Sequence, residues 1–185
     1  MTPHSLAFYV DVVTTGTVLG AGPVDSPARV AEILGPAFTE NTFGDHGMCR
    51  DYGLTEFYWD RARADHPWSG HHFSVQVYRL AHRNRTLADD MLRARYGRFA
   101  RRLRFEKLHR LLVRRGVHLR EVPAAIPASA PHFRTYWQPG SHVAVTVVSA
   151  YGEYSTPDGL RVGDVYSLHA PMTAEEVEWR RAQTC

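Results

Sequence analysis

An α+β fold follows from three features of this 185-residue chain. Apolar and polar residues alternate over several short segments, the period of half-buried strands. Helix-start signals stand at Ser26-Pro27 and at Thr173 with Glu176. Between two strand-rich blocks lies a basic segment whose apolar residues recur at helical spacing. The expected architecture is a single domain (1–185), mostly antiparallel sheet packed by a few helices. Its halves, 1–82 and 105–185, are joined by a basic helical segment, 83–104.

Leu6 to Val13 alternates and reads as a strand, with Phe8, Val10 and Val12 on one face. Thr14 to Gly22 is small and Gly-rich, hence a loop. Ser26 supplies a cap oxygen and Pro27 suits the first helical position, so a short helix begins there and presents Val30, Ile33 and Leu34. Gly35-Pro36 ends it. Asp51 to Trp59 alternates, with Glu56 and Tyr58 opposite Phe57 and Trp59. His72 to Leu80 alternates again, with Phe73, Val75 and Val77 inward and Ser74, Gln76 and Tyr78 outward. These two strands are expected to pair antiparallel across the polar stretch Arg61 to Gly70.

In the basic segment Thr86 is a cap, with Asp89 and Asp90 in the first turn. Leu92, Tyr96, Phe99 and Leu103 form one apolar stripe. Phe105, Leu108, Leu111 and Leu112 form a second, out of phase with it. The spacing predicts two helices, or one kinked helix, dividing near Arg101–Arg104. Gly116 follows Arg114 and Arg115 as a C-terminal stop. Val117 to Val122, Phe133 to Trp137, His142 to Ala150 and Val165 to His169 read as strands. Pro123 to Pro131 is a Pro/Ala loop, and Thr156-Pro157-Asp158-Gly159 a turn. Thr173 and Glu176 open a final helix, Ala174 to Arg181. The order helix, Gly stop, strands therefore occurs from Ser26 and again from Phe105, an order compatible with duplication.

Charge is distributed unevenly. Between Arg79 and Arg120 there are 13 Arg and one Lys against Asp89, Asp90 and Glu106, a net +11, whereas the remainder of the chain is −8. Two opposed fields imply a charged partner, either another molecule or the other half of this one. Arg makes up 21 of the 22 basic residues, a bias that GC-rich coding also produces. No run of 18 apolar residues exists, so no membrane span is expected. The start of the chain lacks a basic and apolar leader, and Cys49 and Cys185 are the only cysteines. A cytoplasmic, reducing location is the expectation.

Catalytic signatures are sparse. His46-x-x-Cys49, with Asp45, His66, His71 and His72, has metal-ligand residue types but no second ligand pair, and adjacent strand residues point to opposite faces. No G-x-S-x-G or Ser-x-x-Lys occurs, and Gly16-x-x-x-Gly20-x-Gly22 lacks the spacing of a phosphate loop. Asp51 with Glu56, and Glu153 with Asp158, are the available carboxylate pairs. No metal and no cofactor is expected, and no catalytic residue is assigned. The candidate partner-binding residues are Arg93, Arg95, Arg98, Arg101, Arg102 and Arg104, with Tyr58 and Tyr136 as aromatic anchors.

Ile33-Leu34-Gly35-Pro36, Arg50-Asp51-Tyr52-Gly53-Leu54-Thr55-Glu56-Phe57-Tyr58-Trp59 and Phe73-Ser74-Val75-Gln76-Val77-Tyr78-Arg79-Leu80 resemble the immunity-type α+β domains of small actinobacterial proteins encoded beside polymorphic toxins. The resemblance covers about residues 24–82 and carries no chemistry-bearing motif. It implies a non-enzymatic protein that blocks a partner by surface complementarity. The basic middle departs from it, because inhibitors of nucleases are commonly acidic. The expected function is thus an immunity-like binding protein that neutralises a toxin or other protein by occlusion. Nucleic-acid binding through the Arg-rich helices, and a small hydrolase with a scattered His/carboxylate site, are the alternatives.

Overall fold

The computed structural model describes residues 4–81, 90–124, 132–151 and 159–183. Thr86, Asp89, most of the Pro/Ala loop, Thr156 to Asp158 and Cys185 lie outside the described residues. The helices are α1 (His4–Thr15), α2 (Pro27–Leu34), α3 (Asp90–Tyr96), α4 (Phe105–Arg114) and α5 (Ala174–Ala182). The strands are β1 (Thr39–Phe43), β2 (Gly47–Asp51), β3 (Thr55–Asp60), β4 (Ser69–Val75), β5 (Arg120–Val122), β6 (Phe133–Gln138), β7 (Val143–Val148) and β8 (Val165–Ala170). The fold is α+β, as expected.

Both strand blocks share one sheet. Its order is β1-β2-β3-β4-β8-β7-β6-β5, and every pairing is antiparallel. Two four-stranded meanders thus meet at their last strands, β4 and β8, and each is preceded by a helix, α2 or α4. The seam is short: Phe73, Ser74 and Val75 face Ala170, His169 and Leu168.

One sheet face is covered by α1 to α4. Phe57, Trp59, Phe73, Val75, Val145 and Leu168 meet Val30 and Leu34 of α2, Leu92 and Tyr96 of α3, and Leu108 and Leu112 of α4. Phe73 and Val75 are inward on β4 as predicted, and Phe57 and Trp59 share the face that alternation gave them on β3. On the opposite face, α5 seals Val122, Trp137, Ala144 and Met172 with Val177. The Trp137 indole donates to the Met172 carbonyl at 2.8 Å.

The N-terminal segment corrects the sequence reading. Leu6 to Val13 is helical, within α1, and not a strand. Phe8, Val10, Val12 and Val13 are at most 1 % exposed. A helix buried on nearly every side shows no polar stripe, so its Val-rich composition mimics a strand; tertiary burial overrides that propensity. Its β-branched Thr14 and Thr15 hydroxyls bond back to the Val10 and Asp11 carbonyls.

His72 to Leu80 is likewise only partly a strand. β4 ends at Val75, and Val77–Leu80 forms a 3-10 turn that brings Arg79 back toward β3. A register shift between Tyr58 and Trp59 pairs Tyr58 with His72 but Trp59 with Gly70. The loop 23–25 lies directly on Gly70, and the Trp59 indole donates to the Asp25 carbonyl at 2.8 Å. A Cβ at Gly70 would stand 2.6 Å from the Asp25 oxygen and 2.7 Å from that of Pro23. Gly70→Ala is therefore expected to cost about 1–3 kcal/mol and to perturb Trp59. Denaturant unfolding followed by Trp fluorescence checks this; an unchanged midpoint refutes the contact.

Candidate functional site

The predicted arginines occupy two kinds of backbone. Arg93 and Arg95 lie on α3, but Arg98, Arg101, Arg102 and Arg104 lie in the non-helical connection between α3 and α4. The expected division into two helices is present, but it spans residues 97–104 and begins before Arg101, so the basic segment is not helical up to position 104. α3 stops because Gly97 turns left-handed, φ +69°, with its N–H on the Arg93 carbonyl. Phe99 and Leu103 still face the core: Phe99 meets Phe8 edge-on at 5.4 Å, and Leu103 is buried. The Leu103 carbonyl accepts the Val165 N–H, drawing the connection against β8. The apolar stripe is thus real, although only its first part is helical.

Where this connection enters α4, a cavity of about 510 Å³ opens. Arg101, Arg102, Arg104, Lys107 and Arg161 line it, with Ala81 and Gly159. Behind it Asp164 has no solvent exposure. One Asp164 oxygen accepts the Arg161 N–H at 2.9 Å; the other meets Arg104 Nη1 at 3.4 Å, and Arg102 Nε stands 3.9 Å from the carboxylate. Arg104 Nη1 also donates to the Val162 carbonyl at 3.0 Å. Arg95, Arg98 and Arg101 have no carboxylate partner within 4.0 Å among the described residues.

The two aromatic anchors part company. Tyr136 lies beneath α4, its ring stacked on Phe105 at 4.3 Å and packed against the core. Trp137, on the other face, is covered by α5. Tyr58 is half-buried on the sheet face opposite α1 to α4. Register explains the difference: α5 covers that face over the second meander, whereas over the first meander a polar cluster occupies it.

That cluster is centred on Glu56. Tyr58 Oη and Gln76 Nε2 each donate to its carboxylate at 2.7 Å, and Arg79 Nη2 at 2.5 Å. Arg79 Nη1 bonds Asp51 at 3.0 Å and the Gly53 carbonyl at 2.9 Å. The Asp51/Glu56 pair is therefore bridged by one guanidinium. Burial opposes the Glu56 charge, but the bonds from Tyr58 and Gln76 and the Arg79 charge outweigh it and hold the carboxyl below its usual range. Burial and the bond to Glu56 raise the Tyr58 pKa. Burial also raises that of the Cys49 thiol, which makes it a poor nucleophile.

Histidines extend this cluster toward α5. The bulge at Tyr58/Trp59 breaks strict alternation, so His71 and His72 do not diverge; both rings lie beside Tyr58, at 6.5 and 5.4 Å. His72 stands 5.7 Å from His169 across the seam. Burial, then the neighbouring His72 and Arg180 charges, push His169 down to about 4. Burial and His71 lower His72 as well, against Glu176 and Glu56. Among the described residues no group of three or more His, Cys, Asp or Glu converges to hold a metal ion.

Sequence reasoning missed Arg79, Gln76 and Ser74 as partners of Glu56, and His169 as a neighbour of His72. The first group was signalled by the expected pairing of β3 with β4, which puts their outward residues on one face. His169 carried no signal, because the β4–β8 pairing joins residues almost a hundred positions apart.

Both histidines favour the neutral form in the fold, so they stabilise it above their unfolded value of 6.5. For His169 that contribution is lost as pH falls from 6.5 toward about 4, because the unfolded chain takes up its proton first, and for His72 it is lost as pH falls below 6.5. For His169 the loss is on the order of 2–3 kcal/mol. The double substitution His72→Gln/His169→Gln is expected to flatten unfolding free energy across this window, as measured by urea titration at each pH. An unchanged slope would refute the assignment. Compared with protein-family models, curated proteins and solved structures, the chain matches none.

Proposed function

We propose that this chain is a non-enzymatic, immunity-like binding protein that neutralises a partner protein by covering an acidic face of it. One observation carries the proposal. The surface from Arg95 to Arg104 exposes Arg95, Arg98, Arg101 and Arg104, and the carboxylate beside Arg102 and Arg104 is the buried Asp164. Such a field raises association rates and selects partners of opposite charge. The partial resemblance of residues 24–82 to immunity-type proteins points the same way and suggests a toxin as the partner. Tyr58, half-exposed and held by Glu56, is the anchor on one face, and Tyr136, half-buried against Phe105, is on the other.

The polar cluster supports binding over hydrolysis. Glu56 is already engaged by four donors, Asp51 is paired with Arg79, and the Cys49 thiol is held protonated by burial. A general base needs an unclaimed lone pair facing substrate. The nucleic-acid alternative shares the basic surface. However, Tyr96, Phe99 and Phe105 pack against the core, so among the described residues of the basic segment no aromatic platform accompanies the charge.

The test is capture of partners from native lysate by the tagged protein, with and without nuclease, read by mass spectrometry. A stoichiometric acidic protein that survives nuclease is expected. The charge reversal Arg98→Glu/Arg101→Glu is expected to slow its association by about 10- to 100-fold at low salt, measured by biosensor. Recovery of nucleic acid alone would overturn the occlusion reading in favour of the alternative.

A further inference from the structure

We infer that the cavity at the start of α4 is a binding site for a compact phosphate polyanion, carrying two or more phosphates. The inference uses the basic surface but does not rest on the occlusion reading.

Five cationic side chains converge on the cavity: Arg101, Arg102, Arg104, Lys107 and Arg161. The one carboxylate beside them among the described residues, Asp164, is wholly buried and turned to the protein side. Among the described residues the lining carries five cations and no anion, and with Asp164 behind it the sum is +4. Like charges gathered around a concave, partly desolvated space repel one another, and an entering anion relieves that repulsion. Among the described residues Ala81 and Gly159 are the lining positions without a polar side chain, so recognition depends on charge and hydrogen bonding.

The arrangement is built rather than incidental. Asp164 orients Arg102 and Arg104, and the Val162 carbonyl holds Arg104 from a second side. The Arg104 guanidinium passes so close to Gly163 that a Cβ there would stand 3.2 Å from Nη2, and Gly163 itself has φ +86°. A side chain at position 163 would be strained and would displace the guanidinium. Arg104 is thus pre-positioned before any ligand arrives, which reduces the entropy of binding. Arg101, Lys107 and Arg161 supply further donors from three separate segments, a spread suited to several phosphoryl oxygens at once. Guanidinium forks match phosphate oxygens bidentately. A volume of about 510 Å³ accommodates a triphosphate, alone or on a nucleoside.

The probe is inorganic triphosphate, titrated calorimetrically into the full chain at moderate salt, with ATP as a second arm. Saturable one-to-one binding is expected, weakening as salt rises. Equal affinity for the two probes assigns recognition to the phosphates, and tighter ATP binding adds the nucleoside. Arg161→Ala and Lys107→Ala are exposed substitutions, and each is expected to weaken binding by about tenfold. Arg29→Ala, on α2 and far in sequence, removes the same charge and is expected to change affinity less than twofold. Absence of saturable binding, or equal losses in all three variants, overturns the inference. Arg98→Glu separates the two readings, because Arg98 is not part of the cavity lining. If Arg98→Glu slows partner association while triphosphate never binds the wild type, occlusion stands and the cavity inference falls.

Discussion

The pairing of Phe73–Val75 with Leu168–Ala170 holds the architecture together. Three residue pairs close two meanders into an eight-stranded sheet, and neither meander contains the other's partner within its own sequence. Phe73, Val75, Leu168 and Ala170 are all buried, so the ladder bonds sit under the helices and away from water. Burial stabilises the seam, and the seam in turn gives α1 to α4 one continuous surface to cover. It also fixes both polar sites. His169 is set beside His72, and Asp164, at the entry to β8, is set against Arg102 and Arg104.

The opposed charges of the sequence are partly reconciled inside the molecule. Arg79 finds Asp51 and Glu56, Arg115 finds Asp11, and Arg102 and Arg104 find Asp164. Each acid comes from the net-negative part of the chain. These pairs differ in kind. The Arg79 pairs and the Asp164 contacts are shielded and hydrogen-bonded, whereas Arg115 to Asp11 is half-exposed at 3.6 Å and contributes little. What remains uncompensated is concentrated between α3 and α4, where backbone irregularity lets several arginines turn to one place. A regular helix would have spread the same residues around its circumference.

The two faces of the sheet divide the labour of stability and surface chemistry. The helical face holds nearly all the large apolar side chains. The other face is apolar only where α5, or the Tyr78, Phe133 and Tyr166 cluster, covers it. Between those covers the side chains around Glu56 satisfy one another, and His71, His72 and His169 lie beside them in ring contact. Such a network is stable when complete and costly when one member is removed, because the partners stay buried.

Short-range physics determined much of this from sequence alone. The cap at Ser26, the stop at Gly116, the Thr173 cap on α5, and the two faces of β3 and β4 rest on neighbours within a few residues. They were legible for that reason, and so was the concentration of arginine. Tertiary structure decided the rest. Leu6–Val13 became a helix because burial on all sides hid its period. After the stop at Gly97 the chain stayed non-helical up to Arg104, held against β8 by the Leu103 carbonyl. Tyr136 was half-covered by Phe105, and His71 and His72 were brought together by a bulge. Each outcome depends on a residue distant in sequence or on a register shift, and local spacing encodes neither.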